Sequence, residues 1–254
     1  MSRPLVLLPP SKGKAVGGDG PRYEDVVACD RGPLAAARRV MLDAVLADVR
    51  DLGGAEVARL AGVAAERAEQ ARGQLLALAD APTLAAHARY TGVVHGNAGL
   101  ASLDPRAAGA DVRVVSPLLG LAALDDPTPD YRLEFTARLP SLGGVAPFWR
   151  ARVSGLLAEL GAGRRVWDLL PGEHARIWEP GVRDALADLV AVSFVRPDGR
   201  PANAARTKVC KGRLTAVLLH APDLDAPGLA RRAKPGEGWT LRAEPGRVIA
   251  TCHL

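Results

Sequence analysis

Lysine is what this chain nearly does without. Of its 33 basic residues only five are lysines: Lys12, Lys14, Lys208, Lys211 and Lys234. Arginine supplies the rest, and four of the five lysines fall in two close pairs. An ammonium is a compact charge whose pKa moves on burial, and a guanidinium does not replace it at such a site. The pairs are therefore candidate functional positions. Aromatic residues are scarce as well, at 4%, so the core is expected to be built from Ala, Leu and Val. The three cysteines, Cys29, Cys210 and Cys252, are far apart in sequence and form no C-x-x-C. That argues against a disulfide framework or a zinc site. The histidines are scattered too, and no ligand spacing is seen among histidines, cysteines and carboxylates, so neither a metal nor a cofactor is expected. No apolar run is long enough to span a membrane, and Leu5–Leu8 is too short for the apolar core of a signal peptide. The expectation is a cytoplasmic protein with no membrane partner.

What is there fits a mixed α/β chain. With 254 residues and 48% hydrophobic content, it can bury a sizeable core. Its net charge of +5 gives a modest preference for anionic partners. Leu5–Leu8 reads as a buried strand, and Gly17 to Gly32, rich in Gly and Asp, as a loop. Pro33 to Val49 carries apolar residues at helical spacing with Pro at its first turn. Two further helices joined at Gly62 are expected to run to about Ala79, and a short one from Pro82 to about Tyr90. "DVRVVS" reads as a strand, and "YRLEFTARL" alternates Tyr131, Leu133, Phe135, Ala137 and Leu139 as a half-buried strand. Pro147 to Leu160 is helical, "RVWDLL" and "LVAVSFV" are strands, and Thr207 to His220 is a helix buried through Val209, Leu214, Val217 and Leu218. A hairpin around Pro245-Gly246 ends the chain. Elements alternate without a linker, which predicts a single domain over 1–254 with a mixed sheet and a helical insertion over about 34–90.

Four stretches carry candidate chemistry. "PPSKGK" follows the first strand, but it has neither the G-x-x-x-x-G-K-[ST] nor the G-x-G-x-x-G spacing. A strand end with Ser11, Lys12 and Lys14 can still hold an oxyanion through backbone N–H groups and ammonium charge, or it is a solvated turn. "TKVCKGRL" places Lys208 and Lys211 on one helix face with Arg213 nearby. Cations in a first helical turn oppose the helix dipole, which suggests charges placed for a ligand. "RLAGVAAERAEQAR" has the pattern of a helix-hairpin-helix, whose turn at Gly62 would aim backbone N–H groups at a nucleic-acid phosphate. An ordinary helical hairpin has the same pattern. "YRL" offers Tyr131 and Arg132 for stacking or for an anion. His95 and His174 are the acid/base candidates, Lys208 a possible nucleophile or base, and Asp168 ends a strand where it can orient a cation or cap the next turn.

Seven blocks in order, "LVLLPPSKGK", "RYTGVVHGN", "VVSPLLGLAAL", "YRLEF", "FWR", "VWDLLPGEHARIW" and "TKVCKGRL", resemble the YaaA peroxide stress protein family over almost the whole chain. The resemblance implies one α/β domain with a basic cleft and a helix-hairpin-helix element. It also implies sequence-nonspecific binding of duplex or branched DNA, and a role in limiting oxidative damage under peroxide stress. In the family, matches to Ser11, Lys14, Tyr131, Arg132, Lys208, Lys211, Gly212 and Arg213 recur. The chain departs from the family at Lys12, where Glu is common, and at Leu119, where an aromatic is usual. It departs again at His95, where Tyr is usual, and at Leu170, Pro171 and His174, where Arg, Ser and Tyr are usual. These substitutions favour the alternative to DNA binding: an enzyme acting on a carboxylate or phosphate small molecule, in which Lys12, Lys14, Lys208, Arg132 and Arg213 bind the anion.

Overall fold

The computed structural model describes residues 3–232 and 239–252; Lys234 and the last two residues of the closing hairpin segment, His253 and Leu254, lie outside them. The fold is built around β1 (Leu5–Leu8), in which all four side chains are 0% exposed. Leu5 and Leu7 pack into one core cluster, Val6 and Leu8 into a second on the opposite face. A strand covered on both faces must be apolar throughout rather than alternating, which is why a four-residue run of Leu and Val specifies it.

Six more strands complete the sheet: β2 (Asp111–Ser116), β3 (Gly120–Ala123), β4 (Val166–Asp168), β5 (Leu189–Val195), β6 (Trp239–Glu244) and β7 (Arg247–Cys252). Their order is β6-β7-β5-β4-β1-β2-β3. Strands β7, β5, β4, β1 and β2 run parallel, while β6 and β3 close the two edges antiparallel. One face is covered by α1 (Tyr23–Cys29), α2 (Ala35–Asp51), α3 (Gly54–Ala61), α4 (Ala68–Leu76) and, beyond the short α5 (Ala86–Arg89) and α6 (Val93–Asn97), by α7 (Val145–Gly161). The other face is covered by α6, α8 (Ala204–His220) and α9 (Ala226–Arg232). Mixed α/β architecture with a mixed sheet is thus what the alternation of elements produces.

Four local expectations are corrected. The segment Gly17–Gly32 is not all loop: it contains α1, whose Tyr23 and Val27 are buried and whose first N–H groups bond to the carbonyls of Ala81 and Ala79. Tertiary partners supply there what the local sequence does not. After Pro82 the chain first forms a strand, Thr83–Ala85, paired antiparallel with Pro127–Pro129, and only then α5. "YRLEFTARL" keeps its alternation in burial, with Tyr131, Leu133, Phe135, Ala137 and Leu139 all buried, but only Arg138–Leu139 joins a ladder, with Gly143–Gly144. Its backbone is used elsewhere: Glu134 N–H bonds to Leu60 O at 2.9 Å and Ala137 N–H to Glu134 O at 3.1 Å. Finally, α8 starts at Ala204 because the Asn203 side chain accepts from Arg206 N at 2.9 Å, an N-cap. Lys208 and Lys211 therefore lie beyond the first turn, and the argument from an opposed helix dipole lapses. Val209 and Val217 are only partly covered, and the buried stripe includes Lys211 itself.

Candidate functional site

The strand order creates a crevice. From β1 the chain goes on to β2 on one side; from β4 it goes on to β5 on the other. In open parallel sheets, ligands bind outside the carboxyl ends of strands at such a reversal. Here the loop after β1, Pro9–Lys14, and the loop after β4, Pro171–His174, line a cavity of about 550 Å³. Residues 131–135 and the N-terminal half of α8 close it.

The loop after β1 is held in shape by its neighbour in space. Thr91 N–H bonds to Gly13 O at 3.1 Å and Ala15 N–H to Arg89 O at 2.9 Å. Arg89 is 0% exposed, and its guanidinium donates to four backbone carbonyls: Ala15, Gly17 at 2.7 Å, Pro82 at 3.0 Å and Thr128 at 2.9 Å. Ser11 packs against Gly92, where any side chain would collide with its hydroxyl. Lys14 is thereby delivered into the cavity. Its Nζ donates to Ser11 O at 2.9 Å and stands 4.0 Å from the centre of the Tyr131 ring. The Tyr131 hydroxyl points inward, bonded to Ser116 at 2.8 Å and to Tyr90 at 3.0 Å. Tyr131 is thus a floor under Lys14, and at 1% exposure it offers no free face for stacking on a base.

On the opposite wall, Lys211 is 4% exposed and donates to Leu169 O. Asp168, at the end of β4, accepts from Leu170 N at 3.0 Å and pairs with Arg183 at 2.9 Å, so it both caps the turn and holds a cation. Burial pushes Lys211 down to about 8, with the charge of Asp168 opposing. Burial and then the charge of Arg132 push Lys14 down to about 7.

The half-buried Lys14 and the buried Lys211 each have a buried histidine beside them. His95, 2% exposed, tilts against Tyr90 at 5.2 Å between ring centres, and both its ring nitrogens lack a hydrogen-bond partner among the described residues. Burial, with the Lys14 charge, pushes it down to about 3. His174 stacks on Phe135 at 5.2 Å, its Nδ1 lies 3.5 Å from the Glu173 carboxylate without hydrogen-bonding to any of the described residues, and burial with the Lys211 charge pushes it down to about 4. Both acid/base candidates are therefore neutral at pH 7, because charging them means desolvating an imidazolium beside a lysine.

The structure brings together Ser11, Lys12, Lys14, His95, Tyr131, Arg132, His174, Lys208 and Lys211 around the one cavity. It does not bring Gly212 or Arg213 to the lining. Gly212 sits where α8 crosses α6, and a Cβ there would come within 2.5 Å of Val94 O and Asn97 Cβ, so its role is close helix packing. Gly62, left-handed with φ +63°, ends α3; the carboxylate of Glu134 occupies the ground beside it, and a side chain there would strike that carboxylate. Glu134 also pairs with Lys12 at 2.7 Å. Glu134 and Glu173 join five cations in the lining. The sequence reading missed Arg89, Glu134 and Glu173. Arg89 looks like any other arginine of an arginine-rich chain, and only the convergence of four carbonyls marks it.

A second cavity, about 630 Å³, lies at the end of α7. Its charged residues Arg164 and Asp188 are already paired with Asp111 and Arg165. Among the described residues no cluster of His, Cys, Asp and Glu could hold a metal ion, and no helix is long and apolar enough to cross a membrane. The three cysteines are free; Cys210 and Cys252, distant in sequence, are neighbours in the core, where burial pushes Cys252 up to about 12.

The model of the family described as peroxide stress protein YaaA matches residues 5–229. The chain belongs to that family. This agrees with the resemblance carried by the sequence blocks, and the match spans the cavity walls from β1 to α8. The UPF0246 protein SCO2297 of Streptomyces coelicolor is 34% identical over 224 residues, covering 85% of this chain and 82% of the relative. The UPF0246 protein Cgl1995/cg2186 of Corynebacterium glutamicum is 31% identical over 217 residues, 84% of each. The UPF0246 protein CE1889 of Corynebacterium efficiens is 28% identical over 248 residues, 96% of each.

Proposed function

We propose that this YaaA-family chain binds an anionic small molecule, a carboxylate or a phosphate ester, in the cavity at the carboxyl ends of β1 and β4. The observation that carries the reading is the pairing of a half-buried Lys14 and a buried Lys211 with two buried histidines inside one cavity of about 550 Å³, a size within the range of small-molecule sites. An incoming anion restores full charge to both lysines and accepts from the one N–H that a neutral imidazole carries. Membership of the family supports a place for that activity in the peroxide stress response.

The test is thermal unfolding with phosphate or citrate against chloride at constant ionic strength. At a hundredfold excess over Kd, a ligand adds about 2.7 kcal/mol, which for a chain of this size is a rise of several degrees. The rise should shrink in Arg132→Gln. No rise with any small anion would sink the reading.

Nucleic-acid binding is the second reading, and one observation favours it: Lys12, with its side chain 70% exposed, and the exposed Lys208 stand at the cavity's rim, where a backbone phosphate could reach them. Against it, Glu134 rather than open space lies beside Gly62, where a hairpin phosphate contact would be made. A gel shift on duplex and branched DNA at low salt separates the two. A shift abolished by the double substitution of Lys12 and Lys208 by Gln, with no thermal response to small anions, would favour nucleic acid.

A further inference from the structure

A grip on an anion does not by itself call for lysine. This chain uses arginine for nearly every other cation, and Arg132 already lines the same cavity. Yet the cation set behind Ser11 is Lys14, and its Nζ donates to a backbone carbonyl, not to a carboxylate. Beside it is an imidazole whose two nitrogens have no hydrogen-bond partner among the described residues: His95 and Lys14 both lie against Tyr90, at 5.2 Å and 5.7 Å from its ring centre. A primary amine in a desolvated site next to another cation is a recognised form of activated nucleophile.

We propose that Lys14 is a nucleophilic amine that forms an imine with a carbonyl compound carrying an acidic group, a 2-oxo acid or an aldehyde acid, and that His95 moves the protons. The proposal rests on the anion-site reading above and names its substrate class. Arg132 and Lys208 hold the acidic group. The lone pair of Lys14 Nζ adds to the carbonyl carbon, the carbonyl π pair moves to oxygen, and that oxygen takes a proton while the nitrogen gives one up. The resulting carbinolamine takes a proton from His95 on its hydroxyl and loses it as water as the nitrogen lone pair forms C=N, and the iminium N–H then returns that proton to His95. Amine and carbonyl become imine and water, with no oxidant or reductant consumed. A neutral imidazole has one N–H to give and one nitrogen to receive, which is what the two proton moves need.

The state of the amine agrees with this role. With burial and Arg132 holding it at about 7, half of Lys14 is free amine at pH 7, against about one part in 2,500 for a lysine of ordinary pKa. The test uses the whole wild-type chain, glyoxylate as the carbonyl probe and cyanoborohydride to trap imines, followed by peptide mapping of the five lysines and the amino terminus. The expected result is labelling of Lys14 at least roughly 100-fold faster than of Lys12, with a rate that rises through pH 7 and is suppressed by excess phosphate. His95→Gln should slow trapping by a larger factor than it weakens the thermal response to phosphate; equal losses would mean that His95 only helps to hold the anion. Labelling of Lys12, Lys208 or Lys211 as fast as Lys14 would overturn the proposal, as would a rate that keeps climbing to pH 10. Because the map is made on wild type, a Lys14 variant that fails to fold decides nothing. A normal phosphate response without Lys14 labelling removes the imine and leaves the anion site; loss of the phosphate response removes the anion site, and labelling still decides the amine.

Discussion

His95 and His174 each carry a stability cost that depends on pH. Their folded values, about 3 and about 4, lie below the ordinary 6.5 of an unfolded histidine. As pH falls below 6.5 the unfolded chain takes up protons that the folded chain refuses, so stability is complete above that pH and is lost progressively down to the folded values. Each histidine contributes a slope of up to about 1.4 kcal/mol per pH unit in that window. The double variant His95→Gln, His174→Gln should flatten the fall of the urea midpoint between pH 7 and pH 4; an unchanged fall would mean that the imidazoles are solvated. The sequence named both histidines as acid/base candidates because a free imidazole titrates near neutrality. It had no access to the burial that removes this property, since burial depends on Phe135 and two lysines that arrive from other parts of the chain.

At the scale of elements, the loop after β1 depends on one short helix. Arg89, on α5, ties together the carbonyls of Ala15, Gly17, Pro82 and Thr128. Replacing it by Met leaves several buried acceptors unpaired, each worth about 1–3 kcal/mol. The expected outcome is a loss of at least about 3 kcal/mol in denaturant unfolding. Faster amide exchange at Ala15, whose N–H bonds to Arg89 O, should accompany it, together with weaker anion binding, because Lys14 loses its placement. Exchange at Ala15 that matches wild type would refute the anchoring role. Helices α2, α7 and α8 were legible from apolar spacing, and β1, β2, β4, β5 and the closing hairpin from short apolar or alternating runs. The misread elements share a cause. Helix α1 and strand Thr83–Ala85 are short and are made by partners distant in sequence, and "YRLEFTARL" has the period of a strand while its backbone bonds go to α3 and to its own turn.

For the whole molecule, the parallel centre of the sheet depends on both of its covered faces. Gly212 lets α8 approach α6 on one of them, within contact of Val94 and Asn97. Gly212→Val should therefore cost about 1–3 kcal/mol as the helices are forced apart. The wall that carries Lys211 should move with them, so the thermal response to phosphate should weaken too; a variant as stable and as responsive as wild type would show the crossing to be loose. The glycine was picked out in sequence for its place in a recurring motif, but its reason is steric and belongs to the packing.

Sequence alone determined the class of fold and the family, because hydrophobic period is a local property and the order of the motif blocks survives in the chain. It also pointed to the two lysine pairs, because lysine is so rare in this composition. Only the tertiary structure decided what those residues are. Lys12 finds the carboxylate of Glu134 and stays at the surface, Lys208 stays exposed, and Lys14, half-buried, and Lys211, buried, stand on opposite walls of one cavity. The physical reason is that solvation and electrostatic environment are set by groups far apart in sequence, here at the ends of β1 and β4, which adjacent parallel pairing brings together.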